Sequence, residues 1–142
     1  MKKLFVAAIM SLSLLTTNTS AEIKMGIILG FTGPIESLTP AMAASAELAF
    51  KEASDSGSLL GGEKITPVRA DSTCVDSAAA TTAAEGLVSQ GVAAIMGADC
   101  SGVTGAIASN VAVPNGVVMI SPSATSPAVS NTHLTLPTNR EV

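Results

Sequence analysis

The apolar content of this chain comes in two alternating textures, and that alternation limits the possible folds more than any other feature. Four short runs, "IKMGIILG" (Ile23 to Gly30), "KITPVRAD" (Lys64 to Asp71), "VAAIMGA" (Val92 to Ala98) and "GVVMISP" (Gly116 to Pro122), are separated by segments with helical signals. Short runs of this kind, closed by turn residues such as Gly33 and Pro34, read as strands. Where nearly every position is apolar, as in the first run, the strand is buried on both faces, as happens in a parallel sheet. Pro67 predicts that the second strand lies near the sheet edge, because proline cannot donate to a ladder.

The segments between them carry helix punctuation. Thr39-Pro40 predicts a start, with Thr39 capping free amides and Pro40 in the first turn, where its missing donor costs nothing. Met42, Ala46, Ala49, Phe50 and Ala53 then follow the spacing of one buried face, and Gly57 ends the helix. Asp76 or Ser77 can cap a second helix, "SAAATTAAEGLVSQ", which Gly91 terminates. A third helix, "GVTGAIASNVA", is rich in small residues, and its glycines predict a closely packed neighbour.

Strand and helix therefore alternate through four strands, which predicts an α/β fold: a doubly wound parallel sheet with right-handed crossovers. The sheet reads as incomplete, since no helix signal follows Ser130. Residues 131–142, "NTHLTLPTNREV", read as a non-native or frame-shifted tail on a lobe spanning 22–130. In an open sheet of this kind ligands bind beyond the carboxyl ends of the strands. Three segments fall there, "FTGPIESLTP", "ADCSGVTG" and "SPSATSP", all rich in hydroxyls, glycine or proline and poor in charge.

Residues 1–21 have two lysines, an apolar run from Leu4 to Leu15 and a small-residue ending at Ala21. That is the layout of a secretory signal peptide cleaved after Ala21. The run is shorter than the roughly 20 residues that cross a bilayer, and no cysteine follows it to carry a lipid. The expected mature protein is soluble and lies outside the cytoplasm. A formal charge of −4 for the whole chain, made more negative by loss of Lys2 and Lys3, excludes a nucleic-acid backbone as partner. After cleavage only Phe31 and Phe50 remain as aromatics, too few to make stacking platforms.

Cys74 and Cys100 lack the spacing of a redox or zinc motif, and export to an oxidising compartment favours a structural disulfide. As a nucleophile, Cys100 or Ser101 would need a base, and the one histidine is His133 in the tail. Asp71, Asp76 and Asp99 have no metal-loop spacing, so the sequence asks for neither metal nor cofactor. Neither "GFTGPIES" nor "GADCSG" has a phosphate-binding spacing. Ser101, at a strand end and a helix start, can offer a hydroxyl and an amide in a field that favours an anion. Ser123 and Thr125 can add donors and acceptors, and together the three suit the carboxylate and ammonium of a zwitterion. The alternative is that Ser101 only caps a helix and Thr125 only closes a turn.

"IKMGIILGFTGP" after a signal peptide, the two-cysteine stretch "GGEKITPVRADSTCVDSAAATTAAEGLVSQGVAAIMGADCSG", and "NGVVMISPSATSP" carry a resemblance. From Ile23 to about Val129 the chain resembles the periplasmic substrate-binding proteins of branched-chain amino-acid ABC transporters, the type I periplasmic binding proteins. The resemblance implies a two-lobed Rossmann-like clamp that closes on a small ligand without catalysis, works as a monomer and serves a membrane permease. It implies a disulfide between Cys74 and Cys100, a ligand contact from Ser101, and backbone and hydroxyl contacts from Ser123 and Thr125 to the ligand's ammonium and carboxylate. It also places the segment from Glu36 to Leu38 at the cleft edge. Many relatives have an aromatic there and this chain has none, which leaves the particular solute open. Family members are much longer, and their second lobe supplies further ligand contacts. Two rival functions remain: a ligand-sensing receptor ectodomain of the same fold, and an exported enzyme using a Cys100 thiolate.

Overall fold

Ile27, Ile28 and Leu29 lose all contact with solvent, and the molecule is built around them. In the computed structural model, which describes residues 22–58 and 62–130, they form the end of strand β1 (Glu22–Leu29). The expected signal peptide and the tail with His133 lie outside the described residues. On one side β1 pairs in parallel with β2 (Lys64–Asp71), from Glu22 opposite Lys64 to Leu29 opposite Asp71. On the other it pairs in parallel with β3 (Ala94–Gly97), from Met25 opposite Ala94 to Ile28 opposite Gly97. β3 in turn pairs with β4 (Val118–Ile120), giving a parallel sheet of order β2-β1-β3-β4.

Side-chain alternation along β1 divides the core. Ile27 and Leu29 point to helix α1 (Thr39–Asp55), packing with Ala43, Met42, Ala46 and Phe50. Ile28 points to the opposite face and joins Ala80, Ala84 and Leu87 of α2 (Ser77–Ser89) with Val103 and Ile107 of α3 (Ser101–Ile107). Full burial of each such aliphatic side chain stabilises the fold by about 1.5–3 kcal/mol. After Ile107 the helix widens into a π-type turn, Ala108–Ala112, and a short helix α4 (Pro127–Ser130) follows β4.

The chain leaves β1 towards β2 through α1, then crosses back past β1 to β3 and on to β4. With α1 on one face and α2 and α3 on the other, this is the doubly wound arrangement expected. Its direction reverses between β1 and β3, where such sheets open a crevice at their carboxyl ends. β2 lies at an outer position with Pro67 exposed, as the proline predicts. Among the described residues no helix is long and apolar enough to cross a membrane.

Local expectations are corrected at four points. Thr39 is not the cap of α1: Leu38 holds that place without a side-chain bond, while Thr39 is fully buried and its hydroxyl donates to the Gly30 carbonyl at 3.1 Å. Ala49 is exposed, because the buried stripe runs through Ala43, a position the spacing from Met42 passes over. The glycines of α3 have no close neighbour among the described residues, since a Cβ on Gly102 or Gly105 would meet none of them within 4 Å. The first strand is buried on both faces only in its second half, with Ile23 to Met25 partly exposed. Of the expected helix caps, Asp76 is the one that forms, accepting from the Ala78 and Ala79 amides at 2.9 and 3.0 Å.

Two glycines are required by close approach. Gly97 has φ +132°, and a Cβ there would lie 1.9 Å from the Ile28 carbonyl oxygen. Gly33 has φ +99°, and its Cβ would fall 2.5 Å from the Thr73 carbonyl oxygen, so the loop after β1 sits directly on the loop after β2.

Candidate ligand-binding site

Loops from the carboxyl ends of all four strands meet beyond the sheet, and polar side chains hold them together. The loop after β2 begins with Ser72, then places Thr73 (φ 57°) and Cys74 (φ 69°) in the left-handed region, where non-glycine residues cost about 1–3 kcal/mol each. The surroundings fix that conformation: Asp71 accepts from the Thr73 amide at 2.8 Å, and Cys74 is bonded to Cys100 with Cα atoms 5.2 Å apart. Asp71 also accepts from the Thr32 hydroxyl at 2.6 Å and the Thr32 amide at 3.3 Å, tying in the loop after β1. Burial pushes the Asp71 carboxyl up, yet the hydrogen bonds from Thr32, Thr73 and Phe31 outweigh it and hold the group below its ordinary value.

Beside this loop pair, Asp99 is buried at the end of β3. One carboxylate oxygen accepts from the Gly30 amide at 2.8 Å, and the other accepts from the Ser72 hydroxyl at 3.2 Å and the Cys100 amide at 3.0 Å. Cys100 ends the turn in extended conformation, and α3 starts at Ser101 without a side-chain cap. The amides of that first turn lack intrahelical acceptors, which leaves them suited to an anion.

The loops after β3 and β4 are zipped by serines. Ser121 donates its hydroxyl to the Ala98 carbonyl, Ser123 donates to the Asp99 carbonyl at 2.7 Å, and the Ser101 hydroxyl accepts from the Thr125 and Ser126 amides at 3.1 and 3.2 Å. Ser121 also accepts from the Ala124 amide at 2.8 Å, and the buried Thr104 hydroxyl donates to the Ala98 carbonyl at 3.0 Å. The three expected site residues, Ser101, Ser123 and Thr125, thus lie on the two adjoining segments that follow β3 and β4, Ser123 and Thr125 exposed and Ser101 partly so. The segment from Glu36 to Leu38 is exposed as well, at the end of the loop after β1.

Hydroxyl bookkeeping defines what each can do. A hydroxyl has one donor and two acceptor lone pairs. Ser101 accepts twice, so its proton remains to be donated to an anion. Ser123 has spent its proton, so its lone pairs remain for a cation, and the Thr125 hydroxyl has no partner among the described residues.

The nucleophile reading of Cys100 is corrected, because a sulfur bonded to Cys74 offers no thiolate. Nor do the three aspartates gather: Asp76 caps α2, Asp71 binds the Thr32 loop and Asp99 the strand ends, and no cluster of three metal-ligating side chains exists among the described residues. Sequence reasoning missed the roles of Asp99, Ser72 and Ser121. Their partners are 69, 27 and 23 residues away along the chain, and only the alternation of serines at 121 and 123 hinted at a side-chain ladder.

Comparison with known proteins agrees with this architecture. The profile of the family described as "Periplasmic binding protein" matches residues 22–139. The Leu/Ile/Val-binding protein BraC3 of Rhizobium johnstonii is 32% identical over 115 residues, 81% of this chain and 30% of that protein. The leucine-specific-binding protein of Salmonella typhimurium is 29% identical over 128 residues, 90% of this chain and 34% of that protein. Among solved structures, the branched-chain amino acid transporter substrate-binding protein LivJ of Streptococcus pneumoniae, in complex with isoleucine, superposes with TM-score 0.69 at 32% identity, covering 78% of this chain and 31% of that one. The chain spans about a third of the length of these relatives. On the family profile and the shared fold, the chain belongs to the periplasmic binding protein family.

Proposed function

We propose that this chain is the ligand-gripping part of the first lobe of an extracytoplasmic solute-binding protein. It captures an amino acid of branched-chain type, or a related small solute, and delivers it to the membrane permease of an ABC importer, without catalysing a reaction. Residues 1–21 direct export and are removed, which places the mature protein in the periplasm. The observation that carries this reading is the pairing of Ser101 and Thr125. The Thr125 amide donates to the Ser101 hydroxyl at 3.1 Å, which leaves the Ser101 proton to point away from that loop, beside the uncapped start of α3, where a ligand carboxylate can accept it.

In this reading Ser101 donates its hydroxyl proton to the ligand carboxylate, with the free amides of α3 adding their dipole. Ser123 turns its lone pairs towards the ammonium, and Thr125 offers a hydroxyl to either group. Asp71 and Asp99 are already satisfied by protein donors and do not compete for the ammonium. The Cys74–Cys100 disulfide holds the turn that presents Ser101. The relatives' printed specificities, leucine, isoleucine and valine, supply the first solutes to try.

The test is a melting-temperature screen of the full-length gene product against the individual amino acids. A ligand at a hundredfold its dissociation constant stabilises by about 2.7 kcal/mol, which moves a melting point by several degrees. Leucine, isoleucine or valine should raise it. If no amino acid does, the transport reading fails.

A further inference from the structure

Asp99 touches every strand end that builds the site. Its carboxylate accepts from Gly30 at the end of β1, from Ser72 at the end of β2 and from Cys100 in its own loop after β3. Its carbonyl accepts from Ser123 in the loop after β4. The side chain is buried, with only 4% of the residue exposed, and it lies two residues before Ser101. We infer that Asp99 is the positioning residue of the site, locking the four loops into one frame so that Ser101, Ser123 and Thr125 are held in binding geometry before a ligand arrives.

The chemistry requires a carboxylate at this point. Three donors converge on it, and an ionised carboxylate is acceptor-only, so it satisfies all three. A carboxamide of the same shape cannot do so. With its oxygen towards Ser72 and Cys100, its NH2 group faces the Gly30 amide, and flipped, it faces the Cys100 amide. Either way a buried N–H loses its acceptor, and one loop comes free of the others. The loop after β4 hangs on the same frame through the Asp99 carbonyl and the Ser101 hydroxyl. Disturbance at Asp99 therefore reaches Thr125 and Ser126, which share no bond with its side chain.

The experiment is amide hydrogen exchange on the ligand-free, full-length protein, wild type against Asp99→Asn. Exchange should rise at Gly30 or at Cys100, whichever amide the carboxamide's NH2 group faces, and by about tenfold at Thr125 and Ser126, while Ile28 in the sheet keeps its rate. A rise confined to Gly30 or Cys100 would show a local structural bond only and overturn the inference. Should Asp99→Asn fail to fold, Ser72→Ala removes one donor from the same carboxylate. It should speed exchange at Thr125 and Ser126 several-fold, and unchanged rates there overturn the inference as well.

The consequence for affinity rests on the amino-acid-binding reading proposed above. Titration of isoleucine should show about tenfold weaker binding to Asp99→Asn, whereas Leu87→Ala, a core change under α2, should lower the melting point and leave affinity within about twofold. Equal affinity of Asp99→Asn and wild type overturns the positioning role. If wild type binds no amino acid while the exchange pattern appears, the frame stands and the ligand reading is what fails.

Discussion

Asp71 ends β2 and Asp99 lies two residues past the end of β3, and each accepts from donors far away in sequence. Composition marks both as polar strand ends, but a partner 39 or 69 residues distant leaves no local pattern to read. Thr39 shows the same limit from the other side. A threonine before proline reads as a cap, yet its hydroxyl turns back to the Gly30 carbonyl, whose position only the folded strand defines. Because its hydrogen bonds hold the Asp71 carboxyl low, they stabilise the fold above the unfolded carboxyl's pKa of about 3.9. That contribution is lost as pH falls through the lower folded value. Asp71→Asn should thus cost about 1 kcal/mol at pH 7, measured from urea midpoints. The gap to wild type should shrink as the pH is taken below about 4, and a gap that stays constant would assign the loss to another cause.

The order of strands and helices is legible in the sequence because each element repeats its own period, and β2 has the expected bounds of Lys64–Asp71. What periodicity cannot supply is phase. The stripe through Met42 and Ala46 is right for α1, but packing against Ile27 and Leu29 centres it on Ala43 and leaves Ala49 in solvent. In α3 the small residues suggest a close neighbour, whereas the buried face is carried by Val103, Thr104 and Ile107 and the glycines lie off it. Outside the sheet, α1 is joined to β2 by a two-pronged contact from Arg69 to Glu47, at 2.6 and 2.8 Å, with the guanidinium 5.5 Å from the centre of the Phe31 ring. An exposed pair of this kind is worth about 0–1 kcal/mol. The cap of α2 is a better lever. Asp76→Ala leaves the Ala78 and Ala79 amides unpaired and should cost about 1 kcal/mol in denaturant unfolding. A cost near zero would mean that solvent replaces the cap.

For the molecule taken whole, the winding of the chain reverses between β1 and β3, where sheets of this kind open a crevice; the alternation of strand and helix predicts the carboxyl-end face, while the place of the reversal follows only from the strand order. Ser101, Ser123 and Thr125 are legible as candidates from their place at strand ends and from the family resemblance. Which of them has a proton or a lone pair to spare is a matter of three-dimensional bonding that the sequence does not encode locally. The relatives are about three times the length of the present chain. On the proposed function, the loops after β3 and β4 hold an amino acid through Ser101, Ser123 and Thr125. Thr125 is the residue to change, because it is exposed and its hydroxyl has no partner among the described residues, so removing the hydroxyl is expected to leave the fold intact. The measurement is calorimetric titration of isoleucine into the full-length gene product and its Thr125→Ala variant, with melting points alongside. The account predicts saturable binding to the wild type and a loss of about tenfold or more in the variant, with melting points that agree closely. Equal affinities, or a variant that melts well below the wild type and still binds normally, would contradict it and leave Thr125 as a turn residue.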